Sequence, residues 1–262
     1  VAHGRNDALN QTLLSREQIE GNLAQVAALL REARADVVAL QEADGPSRWS
    51  GGFDHVATLA QLAQYPWHAR GSHAKTWAFD YGTAVLSRVP FTEHASPSFP
   101  PSPPSMTKGM TLAQVAWQPP GAAAPLLVDI VSVHLDFSRD SVRRQQVEEM
   151  AAFLSRRTHP VVVLGDFNSD WFDTGDRSVV TALARRCDMH AYEPHATHLG
   201  TYPSSGRRLD WVLISGDLQF LQYEVLPQLV SDHKAVVAEI GYQPQTADRV
   251  AATGTGRCSS GK

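Results

Sequence analysis

The stretch VVVLGDFNSD, residues Val161 to Asp170, decides the fold. Four apolar residues open it, as in a strand buried on both faces, and polar residues close it. In extended backbone Asp166 and Asn168 point to the same side, whereas Phe167 points to the opposite side, into the packing. The stretch therefore predicts a rigid buried strand with functional side chains at its end.

Several other apolar runs meet polar residues at one end. VVAL and IVSV end on polar residues, whereas WVLI and KAVVAEI begin after them. If the second pair of strands runs antiparallel to the others, all these ends lie at one edge of the sheets. The side chains gathered there are Glu42, His134, Asp166, Asn168, Asp210, Asp232 and His233. The pattern thus predicts a single site built from distant parts of the chain.

Helical patterns alternate with these strands. Ser15 opens a capping box, Ser-Arg-Glu-Gln, and apolar residues then recur every three or four positions to about Ala35. A second helix is expected to begin at Ser138 or Ser141, and a third to run over residues 178–188. The order of a helix followed by a Val-rich strand therefore occurs twice along the chain.

The remaining stretches set the domain boundaries. The runs that begin at Met110 and Leu126 flank a Pro/Gly/Ala turn, which predicts a hairpin. Residues 96–105, SPSFPPSPPS, are too rich in proline for a helix or a strand, and the apolar runs on both sides favour an internal loop over a linker. We expect one domain over residues 1–242 and a disordered tail over residues 243–262.

Composition limits the classes of partner. The chain has 262 residues, 43% of them hydrophobic, and can bury one large core. Its net charge of −4 weakens the case for nucleic acid, although bound cations can offset an acidic cleft. No run of about 18 apolar residues encodes a membrane span. A cytoplasmic location is the default expectation, and a targeting segment ahead of Val1 is the alternative.

A metal site is expected to use oxygen ligands rather than thiolates. Only Cys187 and Cys258 are present, too few for a Cys-based zinc site, and a structural disulfide is not expected because Cys258 lies in a Gly/Ser/Thr-rich tail. Four carboxylates at one edge would repel one another unless a cation compensates. Carboxylate and amide oxygens suit a hard ion such as Mg2+, which borrows further oxygens from a substrate phosphate.

Six motifs, in chain order, resemble the endonuclease/exonuclease/phosphatase superfamily, which includes pancreatic deoxyribonuclease, abasic-site endonucleases, neutral sphingomyelinases and inositol polyphosphate 5-phosphatases. The motifs are LQE at 40–42, YGTAVLSRVP at 81–90, SVHL at 132–135, GDFN at 165–168, RLDWVLIS at 208–215 and SDHKAVV at 231–237. The resemblance implies a four-layer α/β sandwich, with two mixed β-sheets packed face to face, helices outside, and a Mg2+ or Mn2+ site at one end. It does not specify the substrate.

The resemblance also implies roles for individual residues. Glu42 resembles the principal metal ligand, and Asp232 resembles a further ligand. Asp166 resembles the residue that positions or deprotonates the attacking water, and Asn168 the one that contacts phosphate and metal. The remaining three are Asp210, which resembles the carboxylate that orients His233, and His134 and His233, which resemble the pair that binds the phosphate.

One element of the family pattern is not met. The family carries an asparagine on its first strand, and by position it would fall immediately before Val1. The alternatives are that the first strand is truncated, or that Asn6 or Asn10 substitutes. Losing one such contact is expected to lower the rate roughly a hundredfold.

The chemistry that fits is hydrolysis of a phosphoester by direct in-line attack of water, without a covalent enzyme intermediate. A calcineurin-type phosphoesterase is rejected, because Asp-x-His early and Gly-Asn-His late are both missing. The alternatives kept are a DNase-type endonuclease or exonuclease and a catalytically impaired binding module on the same fold.

The substrate is expected to be a small-molecule or lipid-derived phosphoester rather than nucleic acid, acted on by a monomer. Basic residues that could line the rim of the site, or else be ordinary surface charges, are Arg70, Lys75, Lys108, Arg207 and Arg208. Tyr81, Trp171 and Phe172 lie in or next to site loops, where they could stack on a ligand or pack on the core.

Overall fold

The structure is a computed structural model and describes residues 14–120, 122–174, 178–243 and 258. Its helices are α1 (Arg16–Ala33), α2 (His55–Leu62), α3 (Asp140–Leu154) and α4 (Val179–Arg186). Its strands are β1 (Val37–Gln41), β2 (Trp67–Lys75), β3 (Asp80–Ser87), β4 (Phe91–Ala95), β5 (Gly109–Trp117), β6 (Leu126–His134), β7 (Val161–Asp166), β8 (Met189–Ala191), β9 (Asp210–Ser215), β10 (Leu218–Val225) and β11 (Val236–Tyr242).

The strands form two principal sheets and one additional pair. The small sheet has the order β1-β3-β2 and is antiparallel, and the large sheet has the order β4-β5-β6-β7-β9-β8. The large sheet is mixed, because β6 and β7 run parallel while β9 runs antiparallel to β7. β10 and β11 form an antiparallel pair of their own.

Three apolar clusters define four layers. One cluster joins α1 and α2 to the small sheet, and another joins α3 and α4 to the large sheet. The third cluster lies between the sheets and takes residues from β3, β5, β6, β7 and β9. Side chains along β7 alternate between two of these clusters, since Val161 and Val163 face the helices while Val162 faces the other sheet. The four-layer sandwich that the family resemblance implies is confirmed. Both sheets were expected to be mixed, but the small sheet is antiparallel throughout its three strands.

Most elements expected from the sequence are present. The capping box forms, with Ser15 as N-cap of α1. The expected hairpin is also present, since β5 and β6 pair antiparallel, with Met110 as the second residue of β5 and Leu126 as the first residue of β6. The start of α3 differs, since its N-cap is Arg139 rather than Ser138 or Ser141. The Ser138 side chain instead donates to Asp136 Oδ1 at 2.8 Å, which fixes the turn before the helix.

The expectation about the cysteines is wrong. Cys187, at the C-terminal end of α4, forms a disulfide with Cys258, 71 residues later. Cys258 also packs against the apolar cluster beneath α3 and α4. The composition of the tail could not predict this contact. Low hydrophobicity predicts whether a segment as a whole is ordered, and says nothing about where a single thiol within it lies. In the part of the chain that the structure describes, no helix is both long and apolar enough to cross a bilayer.

Candidate active site

Three of the expected site residues lie side by side on neighbouring strands of the large sheet. His134 of β6 pairs with Asp166 of β7, and Asp166 pairs in turn with Asp210 of β9. All three continue the alternation that points apolar side chains of these strands toward the small sheet. The apolar sheet interface therefore ends in polar side chains at this edge.

The glycine of GDFN permits the close approach of β6 and β7. Gly165 has φ 150°, and a Cβ atom there would lie 2.0 Å from the carbonyl oxygen of Val133. No side chain larger than hydrogen fits that gap without moving the strands. Gly165 thus sets the separation of the two strands one residue before His134 and Asp166.

Asn168 lies beyond the strand end rather than in extended backbone. Its φ is 49°, in the left-handed region, so the chain turns immediately after Phe167. The turn still brings the two polar side chains together: Asn168 Nδ2 donates to Asp166 Oδ2 at 3.2 Å, and its backbone N–H donates to Oδ1 at 2.8 Å. Phe167 is fully buried on the helix side, as expected.

His233 is held by a carboxylate and a hydroxyl. Its Nδ1 lies 2.7 Å from Asp210 Oδ2, and the same oxygen accepts a hydrogen bond from Thr201 Oγ1 at 2.6 Å. Burial alone would lower the pKa of His233, but the hydrogen bond and charge of Asp210 outweigh it and raise the pKa to about 9. The imidazole is therefore protonated at pH 7.

Asp166 and His134 have pKa values shifted the other way. Burial of the Asp166 carboxyl, together with the nearby charge of Asp210, raises its pKa to about 7. Burial of His134, together with the charge of Lys108, holds its pKa well below the usual range, so this imidazole is neutral at pH 7. Their closest atoms, His134 Nε2 and Asp166 Oδ2, are 3.5 Å apart.

Glu42 joins the site through Tyr81. The Tyr81 hydroxyl donates to Glu42 Oε1 at 3.0 Å and lies 3.1 Å from His134 Nδ1. Burial opposes ionisation of Glu42, but the charge of Lys108 and the Tyr81 hydrogen bond contribute to a pKa that is lowered overall. Glu42 itself has φ 52°, which turns it out of β1. Such left-handed residues cluster at functional sites.

Lys108 places a buried positive charge at the centre of the network. It is 4% exposed, and Nζ donates to the Tyr81 hydroxyl at 2.8 Å and lies 3.1 Å from His134 Nε2. Burial lowers the pKa of Lys108, while the charges of Glu42 and Asp166 raise it. A cation that close to two carboxylates is suited to holding a phosphate oxygen.

Tyr81 and Lys108 were underestimated from sequence. Both stand where an apolar strand meets polar residues, which is the signal that identified Asp210. The sequence analysis selected acids, an amide and histidines at such positions, and a tyrosine and a lysine are neither. Sequence reasoning also missed Thr201, which lies in a loop with no strand pattern. Its hydroxyl accepts from the backbone N–H groups of Leu209 and Asp210, at 3.0 and 3.1 Å.

The other basic residues considered for the rim differ in exposure and partners. Arg70 and Lys75 pair with Asp80, and Arg207 pairs with Asp173. Arg208 is buried, with its guanidinium carbon 4.0 Å from the centroid of the Trp211 ring. Among these candidates only Lys108 contacts the network of predicted site residues directly.

One group within the described residues has the composition of a metal site. Ligand atoms of Asp166, Asp210 and His233 all lie within 4.8 Å of one another. Burial, and next the charge of Asp210, raise the pKa of Asp166, and the oxygens of these two neighbouring carboxylates are donors that fit a hard divalent ion. Glu42 and Asp232 are not members of this group, and Asp232 accepts a hydrogen bond from Ser231 at 3.0 Å. Asn6 and Asn10 lie outside the described residues.

Structural comparison gives relatives with the same fold. An endonuclease/exonuclease/phosphatase from Beutenbergia cavernae DSM 12333 matches with a TM-score of 0.67 and 20% identity, over 84% of this chain and 66% of the other, so this chain spans just under two thirds of that relative. The Bacteroides thetaiotaomicron VPI-5482 mannosyl-6-phosphatase Bt3783 matches with a TM-score of 0.58 and 13% identity, over 85% and 91%. Humanized D. rerio TDP2 matches with a TM-score of 0.62 and 18% identity, over 85% and 92%.

At these identities the comparison of structures speaks for the fold alone. Among curated proteins, no sequence matches the chain. The sequence model described as the Endonuclease/Exonuclease/phosphatase family matches residues 16–233, from the start of α1 to the histidine bound by Asp210. That match includes all seven residues predicted to lie at the sheet edge. The chain belongs to the endonuclease/exonuclease/phosphatase family.

Proposed function

We propose that the protein is a divalent-metal-dependent hydrolase that cleaves a phosphoester by direct attack of water. The observation that carries the proposal is the in-register row of His134, Asp166 and Asp210, with protonated His233 bound at one end and Lys108 at the other. Members of the family are in general hydrolytic phosphoesterases, which supports the same reading.

The proposed division of labour follows from charge. Asp166, whose pKa is raised to about 7, accepts a proton from the attacking water. Protonated His233 and Lys108 stabilise negative charge on the phosphate oxygens, because both cations are buried or half-buried and fixed by hydrogen bonds. His134 is neutral, so it offers the phosphate a hydrogen bond but no positive charge. Of the two histidines expected to bind the phosphate, only His233 then carries a charge.

A divalent ion, when bound, would supply further neutralisation of the phosphate. The Asp166 and Asp210 carboxylates would hold it, whereas the neighbouring His233, protonated and hydrogen-bonded to Asp210, would contact the phosphate instead. Glu42, whose Oε1 accepts a hydrogen bond from the Tyr81 hydroxyl at 3.0 Å, is proposed as an additional ligand. Mg2+ and Mn2+ are the proposed ions, since the donors are mainly carboxylate oxygens.

The test is hydrolysis of bis(p-nitrophenyl) phosphate and p-nitrophenyl phosphate by protein treated with a chelator and then given Mg2+ or Mn2+. We expect turnover that depends on the added ion, and a loss of at least roughly a hundredfold in Asp166→Ala. Glu149→Ala, which removes an exposed carboxylate on α3, is the control and should retain the normal rate. Glu42→Gln should require more metal for half-maximal rate.

No turnover of either ester with any divalent ion would overturn the proposal and leave a binding module on the same fold. Plasmid nicking in Mg2+ that added salt suppresses would instead identify a nuclease. The names of the structural relatives span a sugar phosphatase and TDP2, so they do not choose between these substrates.

A further inference from the structure

The Tyr81 hydroxyl makes contacts that the packing of its ring does not require. Tyr81 is 7% exposed, in the second position of β3, and its ring centroid lies 4.7 Å from Lys108 Nζ. The hydroxyl donates to Glu42 Oε1 at 3.0 Å, accepts from Lys108 Nζ at 2.8 Å, and lies 3.1 Å from His134 Nδ1. A phenylalanine ring would fill the same space, so the role of the hydroxyl lies in these three side chains.

The hydroxyl connects residues of the two facing sheets. Glu42 follows β1 and Tyr81 lies in β3, both in the small sheet. Lys108 precedes β5 and His134 ends β6, both in the large sheet. Burial, and next the charge of Glu42, raise the pKa of Tyr81 well above its usual range, so the hydroxyl keeps the proton that it donates. One neutral oxygen atom therefore lies between a carboxylate beside one sheet and an ammonium beside the other.

Lys108 and Glu42 do not pair directly. Within the described residues, no carboxylate oxygen lies within 4.0 Å of Lys108 Nζ. The contacts to Tyr81 and His134 use two of the three N–H bonds of the ammonium and leave the third for a phosphate oxygen. The tyrosine therefore fixes the lysine without neutralising its charge.

Without the hydroxyl, these two side chains would be free to form a direct ion pair. Opposite charges attract strongly in a buried site, because little water screens them. Lysine carries its charge on a flexible four-carbon stem, so Lys108 Nζ can move by the width of one atom. Such a pair would occupy both the carboxylate proposed to bind metal and the ammonium proposed to bind phosphate.

We propose that Tyr81 is a positioning residue that holds Glu42 and Lys108 apart, so that the carboxylate stays available to the divalent ion and the ammonium to the substrate phosphate. The inference rests on the proposed function, which supplies the metal and the phosphate as the two ligands. It differs from both interpretations of Tyr81 drawn from the sequence, stacking on a ligand and packing on the core. The ring is too buried to stack on a ligand, and packing leaves the hydroxyl without a purpose.

The test is isothermal titration calorimetry of Tyr81→Phe with Mg2+ and, at saturating Mg2+, with inorganic phosphate. The substitution keeps the ring and removes one oxygen atom, and circular dichroism reports whether the fold is retained. We expect the dissociation constants of both ligands to rise at least about fivefold, since each ligand loses a group to the new ion pair.

Tyr65→Phe is the matched control. Tyr65 is 3% exposed, its hydroxyl donates to the Ala35 carbonyl at 2.8 Å, and the Arg88 guanidinium carbon lies 5.4 Å from its ring centroid. The control variant therefore loses a comparable buried hydrogen bond beside a cation, away from the site residues, and should bind both ligands normally.

A double variant separates positioning from a general loss of stability. Lys108→Met has no ammonium that could pair with Glu42. Adding Tyr81→Phe to Lys108→Met should therefore leave the Mg2+ dissociation constant of Lys108→Met unchanged within about twofold.

Unchanged binding of both ligands in Tyr81→Phe would overturn the inference, as would an equal loss of binding in Tyr65→Phe or loss of the fold in Tyr81→Phe. An effect of Tyr81→Phe on Mg2+ binding that is equally large beside Lys108→Met would overturn it too, because the tyrosine would then act without the lysine. Hydrolysis of bis(p-nitrophenyl) phosphate by the unchanged protein tests the proposed function separately. Normal hydrolysis with unchanged binding in Tyr81→Phe removes only this inference, and the expected binding changes without hydrolysis remove only the proposed function.

Discussion

Replacing Gly165 by alanine should damage both stability and activity. The added Cβ would lie 2.0 Å from the Val133 carbonyl oxygen and 3.0 Å from Gln41 Nε2. Since ordinary contacts begin at 3.4 Å, Val133 and Gly165, which pair in register, would have to separate by more than 1 Å. The new residue would also have to hold φ 150°.

The cost can be estimated from these two effects. Backbone strain in a sparsely populated region contributes about 1–3 kcal/mol, and overpacking of a tight core contributes a similar amount. We therefore expect the free energy of unfolding to fall by about 2–6 kcal/mol. Because the next register pair is His134 and Asp166, a displacement near 1 Å should also lower turnover by about a hundredfold.

Urea unfolding followed by circular dichroism gives the stability change, and hydrolysis of bis(p-nitrophenyl) phosphate, under conditions where the variant is folded, gives the activity. Gly21→Ala is the control, since nothing lies within 4 Å of a Cβ at Gly21 in α1. It should stabilise the protein by up to about 1 kcal/mol. A Gly165 variant with the unfolding midpoint and turnover of the unchanged protein would refute the reasoning about strand separation.

Three further predictions concern charges. Asp210→Asn removes the main support for protonated His233, so the alkaline limb of the rate profile should move from about pH 9 toward about 6.5, as measured by initial rates across pH; an unmoved limb would count against the pair. Burial lowers the pKa of His73 to about 4. The buried, neutral imidazole therefore contributes its full stabilisation above about pH 6.5, and this stabilisation is lost as the pH falls through 4. His73→Gln should flatten that acid dependence in urea titrations, by at most about 1.4 kcal/mol per pH unit, and an equally steep dependence would contradict the assignment. Arg157 Nε lies 2.9 Å from Oδ2 of the fully buried Asp129, so Arg157→Met leaves that carboxylate without its cation. The substitution should destabilise the protein by about 3–5 kcal/mol, and a thermal scan that shows no change would contradict this.

Local patterns were sufficient to predict the strands that carry the site. Apolar runs that meet polar residues identified β1, β6, β7, β9 and β11, and the capping box identified the start of α1. Short or weakly apolar elements were not anticipated: α2, β2, β4, β8 and β10. Their residues are mixed in polarity because one side is exposed or the element is an edge, so alternation alone does not distinguish them from loops.

The sequence by itself determined that Glu42, His134, Asp166 and Asp210 stand at or next to strand ends, because the two-residue alternation of a strand and the preferences of glycine and helix caps act within a few positions. Only the tertiary structure decided which of those ends share hydrogen bonds. Tyr81 meets Glu42 because β1 and β3 pair in the small sheet, and it meets Lys108 because β3 and β5 belong to the two facing sheets. Cys187 meets Cys258 across 71 residues. Such contacts depend on how sheets stack and how distant segments return, and no local pattern encodes that geometry.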